Sequence, residues 1–190
     1  PMFDFDDSDV WTMFHSYAFD FSVWELWGPL LYGGRLVVVD YYTARSPEMF
    51  HELLRNEKVT VLNQTPTAFQ QLAETDRIVA ETGVDTERLA LRYIVFGGEA
   101  LDLGQLSRWY LRHDDDAPTL VNMYGTTETT VHVSHLPLSR RFAAEASASV
   151  IGRAIPGLRV YVLDGRLHPT PVGVTGEMYV TGEQVGLGYR

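Results

Sequence analysis

Residues 36–62, LVVVDYYTARSPEMFHELLRNEKVTVL, contain the pattern that decides the fold. Leu36–Val39 is a short apolar run rich in β-branched residues, which predicts a buried strand. Ser46 is a good N-cap and Pro47 suits the first helical turn, so a helix is predicted to follow. Val59–Leu62 is a second apolar run. A strand, a helix and a strand in this order indicate a βαβ unit and therefore a parallel sheet.

The same alternation of short apolar runs and helix-period segments continues on both sides of this unit. We predict further strands at Val10–Phe14, Leu91–Phe96, Thr119–Val121 and Val131–Ser134. Helices are predicted at Phe21–Leu31, from Thr65–Pro66 onward with Phe69 and Leu72, and at Leu103–Leu111. The polar stretch Glu74–Arg88 is predicted as a surface connection, with a short helix within it as an alternative. The pattern is typical of an α/β protein with a largely parallel sheet.

The sequence changes character beyond Arg140. Phe142–Ser149 is small and polar, and two strands, Leu158–Leu163 and Gly176–Val180, are predicted between turns rich in glycine and proline. We expect a first domain over residues 1–140 and the beginning of a β-rich subdomain over residues 141–190. Because no closing helix or linker follows, we expect the chain to be cut from a longer protein.

Composition excludes several classes of protein. The chain has 190 residues with 15 Lys plus Arg and 25 Asp plus Glu, and its net charge of −10 argues against nucleic acid as a partner. It has no cysteine, and Lys58 is its only lysine. The most apolar stretch, Tyr17–Leu31, is interrupted by two acidic residues and a proline, so no membrane-spanning helix is expected. With no visible targeting segment, we predict a cytoplasmic protein.

Polar segments follow four of the predicted strands. Ligands bind at the carboxyl ends of the strands in an open parallel sheet, so these segments are the first candidates for a site. They are residues 15–20, 63–65, 97–100 and 122–128.

The last of these segments, NMYGTTE, is the richest. Tyr124 offers a ring on which a base can stack, and Gly125 allows the backbone to approach a ligand closely. The hydroxyls of Thr126 and Thr127 suit phosphate oxygens, and Glu128 is a hard carboxylate for Mg²⁺. From these residues alone, a polar turn leading into an edge strand is an equally good interpretation.

Two other segments each allow two interpretations. Asp20 lies between Phe19 and Phe21, and it is either the counter-ion of a ligand ammonium group or the N-cap of the following helix. Gly97–Ala100 begins with two glycines, which more often make a tight turn than a nucleotide site. These glycines match neither a P-loop nor a Rossmann motif.

Isolated polar residues and the histidines carry weaker signals. Asn63 and His132, taken alone, are more often satisfied structural groups than ligand contacts. The six histidines do not have zinc-ligand spacing, so no structural metal is predicted. Asp114–Asp116 is interpreted as a solvated loop and not as a calcium site.

Three motifs stand in the order and spacing of core motifs of nonribosomal peptide synthetase adenylation domains, and the resemblance covers the whole chain. They are FDFSVWE at 19–25, NMYGTTETT at 122–130, and GEMYVTGE at 176–183 followed by GYR at 188–190. The resemblance implies activation of an amino acid by ATP to an aminoacyl adenylate, with release of pyrophosphate. It also implies transfer to the phosphopantetheine thiol of a carrier protein, and a place in antibiotic biosynthesis.

With this resemblance, we expect a three-layer, flavodoxin-like α/β fold. It would have a largely parallel sheet with flanking helices and a small C-terminal β-rich appendage. The family belongs to the adenylate-forming superfamily, whose other members include acyl-CoA ligases.

The resemblance implies roles for single residues. Asp20 resembles the residue that pairs with the α-ammonium group of the substrate, and Phe19 resembles the aromatic residue beside the carboxylate and ATP. Glu128 resembles the Mg²⁺ ligand. The other implied nucleotide-binding positions are Gly98, Glu99 and Ala100 in the lining loop, Asn122 and Tyr124 at the adenine, and Gly125, Thr126 and Thr127 in the phosphate turn. Thr126 stands where the family usually has proline.

The family's specificity positions imply a small, mostly apolar pocket. They correspond here to Asp20, Phe21, Trp24, Asn63, Val95, Gly97, Met123, Val131 and His132. The combination resembles the threonine pattern, because Asn63 and His132 add hydrogen-bonding groups to apolar walls. Serine would lose methyl packing of about 0.8 kcal/mol. Valine would leave polar groups unpaired, at ~1 to 3 kcal/mol each. Allo-threonine and 2,3-diaminopropionate stay open as alternatives.

Several parts of the family are expected outside the chain. The phosphate loop would precede residue 1, and the ribose-binding Asp, the hinge and the subdomain with the catalytic lysine would follow residue 190. Lys58 matches none of these, so no catalytic residue is assigned. We expect the chain alone to bind weakly and to adenylate negligibly.

The expected partners are threonine, a peptidyl carrier protein and a condensation domain. The alternatives are an acyl- or aryl-CoA ligase of the same superfamily and a non-catalytic binding subdomain.

Overall fold

A computed structural model describes residues 2–83, 88–145 and 148–189 of the chain. The strands are β1 (Val10–Met13), β2 (Arg35–Val38), β3 (Val61–Gln64), β4 (Tyr93–Phe96), β5 (Thr119–Tyr124), β6 (Ser134–Pro137), β7 (Arg153–Ala154), β8 (Leu158–Leu163) and β9 (Glu177–Gly182). The α-helices are α1 (Phe21–Tyr32), α2 (Pro47–Asn56), α3 (Pro66–Thr82), α4 (Leu106–Tyr110) and α5 (Arg140–Glu145). Single 3₁₀ turns lie at Thr43–Arg45, Leu103–Gln105 and Thr127–Thr129.

Seven strands form one sheet in the order β2-β1-β3-β4-β5-β6-β7. The first five are mutually parallel, and β6 and β7 continue the sheet antiparallel. The order 2-1-3-4-5 is that of a flavodoxin-like sheet. Between β1 and β3 the strand order reverses, so that β2 lies on one side of β1 and β3 on the other. The predicted fold class is therefore confirmed.

The stretch quoted first folds as the predicted βαβ unit. The Ser46 hydroxyl accepts a hydrogen bond from the Met49 N–H at 3.2 Å, and Pro47 is the first residue of α2. The expectation that the strand before it is buried is wrong, because β2 is an edge strand and Val38 is 72% exposed.

The helices cover the two faces of the sheet unequally. One face packs in a large apolar core against α2, α3, α4 and α5, with Leu62, Ile94 and Leu120 at its centre. On the other face, α1 buries Phe21 against Val95, Val121 and Met123. Alternate residues of β4 and β5 thus enter different cores, as the two-residue period of a strand requires.

The stretch 74–82 is helical, as the alternative interpretation allowed, but it continues α3 to Thr82 and is not a separate short helix. One predicted strand is wrong. Val131–Ser134 was expected as a strand, but β6 begins at Ser134, because Thr130 and Val131 have φ angles of +56° and +70°. An extended strand requires negative φ.

The C-terminal part contains the predicted strands. β8 and β9 form a separate antiparallel pair with Tyr161 opposite Tyr179. The large sheet continues past residue 140, since β7 pairs with β6. The division into domains at 140 and 141 stays a prediction. No helix within the described ranges has the length and apolar character needed to cross a bilayer.

A polar cluster joins α2, α3 and the end of α4 on the well-covered face. The Asp76 carboxylate accepts from His113 Nε2 at 3.1 Å and from the Arg112 guanidinium at 3.1 Å, and His51 Nε2 lies 3.5 Å away. Burial raises the pKa of Asp76, but the hydrogen bonds of His113, His51 and Arg112 outweigh it and hold this pKa well below its usual range. Asp76 is therefore ionised at neutral pH.

We expect Asp76→Asn to lower the free energy of unfolding by about 2 kcal/mol at pH 7. A carboxylate with a lowered pKa stabilises the fold above its unfolded pKa of about 3.9, and this contribution is lost as the pH falls towards the folded value. The difference in free energy of unfolding between the wild-type and Asp76→Asn proteins should therefore become smaller below about pH 4. Urea denaturation between pH 7 and pH 3.5 measures it, with the exposed Asp114→Asn as the control. A difference that is constant with pH would contradict the charge argument.

Candidate functional site

Four of the polar segments come together at the carboxyl edge of the sheet. The registers Gln64↔Phe96 and Phe96↔Asn122 align the ends of β3, β4 and β5, and β1 ends beside β3. Residues 15–20, 63–65, 97–100 and 122–128 thus form one surface. The sequence correctly predicted this juxtaposition.

A cluster of aromatic and polar side chains, called the chamber below, lies between α1 and the ends of β3 and β4 and contains Phe21, Trp24, Asn63 and His132. The Trp24 indole N–H donates to Asn63 Oδ1 at 2.8 Å. The His132 ring stands edge-on to Phe21 and Trp24, with ring centroids 5.4 and 5.2 Å apart. Three predicted specificity residues therefore form the aromatic and polar wall around His132.

The chamber contains buried polar atoms that lack partners. Asn63 is fully buried, and its Nδ2 has no hydrogen-bond partner among the described residues. Neither ring nitrogen of His132 has one there either. Burial lowers the pKa of His132 to about 4, so the imidazole is neutral at pH 7. Buried polar groups without partners are costly, so these atoms are available to a hydrogen-bonding ligand.

Two glycines form the floor of the chamber. A Cβ on Gly97 would lie 3.3 Å from the Phe21 ring and 3.4 Å from the His132 ring. Gly98 has a φ of +80°, and its Cβ would lie 2.9 Å from the Phe19 ring. Gly97 and Gly98 therefore form a tight turn. This turn brings their backbone against the rings of Phe19, Phe21 and His132.

Val95, Met123 and Val131 complete the apolar side. Val95 is fully buried and packs with Phe21, Val121 and Met123, while Val131 packs against the same group. Val95 therefore supports the chamber from beneath and is not exposed in it.

Asp20 directly precedes α1 and its residue Phe21, and it is half-buried. It is the N-cap residue of α1 by position, but within the described residues its side chain makes no capping hydrogen bond. The carboxylate is thus not engaged by the first helical turn. The N-cap interpretation loses its main support, and the charge stays available to a cation.

Glu25 and His15 hold the segment before Asp20 in place. Sequence reasoning assigned this structural role to neither residue. The fully buried Glu25 carboxylate accepts from the backbone N–H groups of Phe14 and His15 at 3.2 and 3.0 Å. It also bonds His15 Nδ1 at 3.0 Å, and the His15 ring stacks on Phe21. A glutamate inside the most apolar stretch was the available signal.

The loop from Gly125 to His132 is held in an unusual conformation. The His132 N–H donates to the Thr130 carbonyl at 2.9 Å, which makes a γ-turn centred on Val131 with its φ of +70°. Positive φ is rare for a β-branched residue. A Cβ on Gly125 would lie 2.0 Å from the Val131 carbonyl oxygen, so this approach requires glycine.

A cleft of about 260 Å³ lies next to the chamber. Met123 belongs both to the packed cluster around Phe21 and to the lining of the cleft, so the two adjoin. Six predicted nucleotide-binding residues line the cleft, together with Ser149 and Ile151, which the sequence did not indicate. The six are Gly98, Glu99, Ala100, Asn122, Tyr124 and Gly125.

Two of these residues also have structural partners. The Asn122 side-chain amide donates to the Val150 carbonyl at 2.9 Å. The Glu99 carboxylate accepts from the Thr67 N–H and hydroxyl at 3.1 and 2.7 Å, which satisfies the first turn of α3. Both side chains are thereby fixed in orientation at the edge of the cleft.

Thr126, Thr127 and Glu128 lie on the exposed rim beyond the cleft. The Tyr189 hydroxyl donates to Glu128 Oε1 at 3.0 Å. The backbone N–H of Glu128 and the hydroxyls of Thr126 and Tyr189 lower the pKa of the Glu128 carboxyl, so it is ionised at pH 7.

A Mg²⁺ ion fits this rim only with ligands from elsewhere. The described residues contain no group of three acidic or histidine side chains that could hold a metal. One ionised carboxylate is nonetheless what Mg²⁺ requires when phosphates and water supply its other ligands. Glu128 fits such an ion, bound together with a nucleotide.

Two features of the chain lie away from the site. A larger cavity of about 570 Å³ lies between α3 and α4. None of the predicted site residues lines this cavity. Lys58, the only lysine, is exposed in the turn between α2 and β3, at the amino edge of the sheet. Neither faces the chamber or the cleft.

Comparison with known proteins agrees with this geometry. The whole chain, residues 1–190, matches the family described as AMP-binding enzyme. It is 58% identical over 187 residues to the dimodular nonribosomal peptide synthase of Bacillus subtilis (strain 168), a match of 98% of this chain and 8% of that protein. It is 44% identical over 187 residues to syringomycin synthase SyrB1 of Pseudomonas syringae pv. syringae, covering 98% of this chain and 30% of that protein.

A solved structure gives the same result. Holo-PA1221, described as an NRPS protein containing adenylation and PCP domains, superposes with a TM-score of 0.85 at 27% identity. The match covers 100% of this chain and 31% of that one.

The fold is thus that of an AMP-binding enzyme, and the chain belongs to that family. Within the family it is the AMP-binding part of a nonribosomal peptide synthetase adenylation domain. The chain spans less than a third of the length of each of these three relatives.

Proposed function

We propose that the chain recognises the amino acid and the adenylate in an enzyme that activates L-threonine. The carboxylate of threonine would attack the α-phosphorus of ATP, and the bond to the β-phosphate would break to release pyrophosphate. The thiol of a carrier-protein phosphopantetheine would then displace AMP to give a thioester. The presence of adenylation and PCP domains in PA1221 supports the second step.

The observation that carries the proposal is that Met123 belongs both to the packed cluster around Phe21 and to the lining of the cleft. On one side lie buried polar atoms of Asn63 and His132 without partners among the described residues, and on the other a cleft lined by a tyrosine and glycines. An aminoacyl adenylate has the same two halves. Asp20 would bind the ammonium group, and the Asn63 and His132 side chains would bind the threonine hydroxyl.

The remaining residues would bind the nucleotide. Tyr124 and Asn122 would contact the adenine, and Thr127 the phosphates. Glu128 would hold Mg²⁺, which neutralises charge on the pyrophosphate when bound. Lys58 lies at the opposite edge of the sheet, so this chain offers no lysine to the reacting carboxylate.

The test is a hybrid adenylation domain in which residues 1–190 replace the matching residues of the Bacillus subtilis dimodular synthase. Amino-acid-dependent exchange of pyrophosphate into ATP reports the substrate directly. We expect threonine to give the highest kcat/KM. Serine should be lower by about 4-fold, because it lacks one methyl group. The isolated chain should show negligible exchange, and threonine-dependent exchange by the chain alone would contradict this part of the proposal.

Discrimination against valine tests the polar wall of the chamber. We expect kcat/KM for valine to lie about 10- to 100-fold below that for threonine, because valine leaves Asn63 and His132 unpaired. In the His132→Leu variant this ratio should fall about 10-fold. The exposed His168→Leu variant, with the same chemical change, is the control. A hybrid that prefers valine, or one whose ratio is unchanged in His132→Leu, would refute the threonine assignment.

A further inference from the structure

Gln184 connects the β8–β9 pair to the loop that carries His132. It lies two residues after the end of β9, and its side chain contacts a segment more than fifty residues earlier in the sequence. Its Nε2 donates to the His132 carbonyl at 2.6 Å and to the Thr129 carbonyl at 2.9 Å, with the Thr130 carbonyl at 3.5 Å. Both N–H groups of the amide are thus engaged by backbone oxygens of one turn.

The backbone around Gln184 reinforces this contact. The Gln184 carbonyl accepts from the Thr130 hydroxyl at 2.7 Å, and the Gly186 N–H donates to the Glu128 carbonyl at 2.6 Å. The loop is therefore fastened along its length by residues from outside the large sheet.

The turn held in this way is strained. Thr130 and Val131 both have positive φ, a conformation that is unfavourable for residues other than glycine and persists only when its surroundings impose it. Gly125 meets the Val131 carbonyl from one side, and Gln184 binds the flanking carbonyls from the other. Because the Gln184 amide donates a hydrogen bond to the His132 carbonyl, it also fixes the backbone of His132, whose ring belongs to the chamber.

We propose that Gln184 is a positioning residue of the amino-acid chamber, which holds the Thr130–His132 turn so that the imidazole stays against Phe21 and Trp24. Its consequence for substrate choice rests on the proposed function, whereas the positioning itself does not. Gln184 binds backbone carbonyls of the turn. Through it, the β8–β9 pair acts on the chamber by way of the backbone.

The first experiment measures the position of the ring and needs no substrate. The His132 imidazole of the whole 190-residue chain is titrated by NMR, with the imidazoles of His51 and His113 as reporters of an intact fold. In Gln184→Met, which keeps the shape but removes both donors, we expect the pKa of His132 to rise from about 4 by at least one unit. That unit is a tenfold change in proton affinity, and it arises because the loosened ring gains access to water.

Three further variants separate positioning from general loss of stability. Gln184→Lys restores donors to the carbonyls and should leave the His132 pKa low. Gln105→Met makes the same chemical change at an exposed site and should have no effect. If Gln184→Met does not fold, Gln184→Asn serves instead, because its shorter amide cannot reach both carbonyls. An unchanged His132 pKa, with unchanged amide shifts at residues 129–132, would overturn the proposal.

The second experiment measures specificity in the hybrid domain. Gln184→Met should raise KM for threonine about 10-fold, the scale of a lost hydrogen-bonded contact, while KM for ATP and kcat change by less than about 2-fold. Equal changes in all three constants would indicate a merely structural role and overturn the positioning assignment. A hybrid that shows no exchange with any amino acid would instead refute the proposed function, and the His132 titration would still decide the positioning.

Discussion

Asp20→Ala in the hybrid domain is expected to lower kcat/KM for threonine by about 100- to 1000-fold. The carboxylate belongs to a half-buried residue directly before α1 and makes no capping hydrogen bond among the described residues, so it is free to pair with an ammonium group. Removing one partner of a buried, hydrogen-bonded charge pair costs about 2 to 5 kcal/mol, most of it from the charge left unpaired. Pyrophosphate exchange with purified wild-type and variant hybrids measures the effect.

Asp102→Ala is the matched control for Asp20→Ala. Asp102 also precedes a helical turn, but its side chain does accept a hydrogen bond there, from the Gly104 N–H. It should reduce stability slightly and leave kcat/KM unchanged. Undiminished activation of threonine by the Asp20→Ala hybrid would show that the chamber is wrongly assigned, and would favour a ligase for an acid that carries no amino group.

Gly125→Ala is expected to lower the free energy of unfolding by about 3 kcal/mol or more. The added methyl group would lie 2.0 Å from the Val131 carbonyl oxygen and 2.7 Å from the His132 Cα, and both are backbone atoms that cannot rotate away. The turn would have to move, and His132 with it. Urea denaturation of the whole chain measures the loss of stability, and NMR titration of His132 measures the movement of the ring.

Gly165→Ala provides the comparison for that substitution. A Cβ at Gly165 meets nothing within 4 Å, and its φ lies outside the positive range, so the change should be nearly neutral. Equal stability of the Gly125→Ala and Gly165→Ala proteins would contradict the described approach of Gly125 to the turn.

Local sequence signals were sufficient for most of the fold. Ser46 and Pro47 fixed the start of α2, and Thr65 with Pro66 fixed the start of α3, because capping depends on a few adjacent residues. The gathering of the polar segments was also predictable, since parallel strands place their carboxyl ends at one edge. The resemblance to adenylation domains then supplied roles that the residues alone left open.

Long-range contacts explain most of the structural features that were predicted wrongly or not predicted at all. The run Val131–Ser134 has strand-forming residues, but Gly125 and Gln184 impose a turn there, and Gln184 is more than fifty residues away. The partners of Asp76 come from α2 and from the residues that follow α4, so no local sequence pattern predicts the cluster. The continuation of α3 beyond Glu74 was not predicted, because Thr75 is the only buried residue in that part of the helix and the rest is half-buried or exposed, as in a loop.

Lys58 makes the chain convenient to attach to a surface. It carries the only lysine ammonium group, it is exposed, and it lies at the edge of the sheet opposite the chamber and the cleft. A linker bonded to the Lys58 side chain would therefore leave the ligand-facing edge pointing away from the support. Because the sequence also has no cysteine, a thiol introduced by mutation would be a second unique handle for a fluorescent probe.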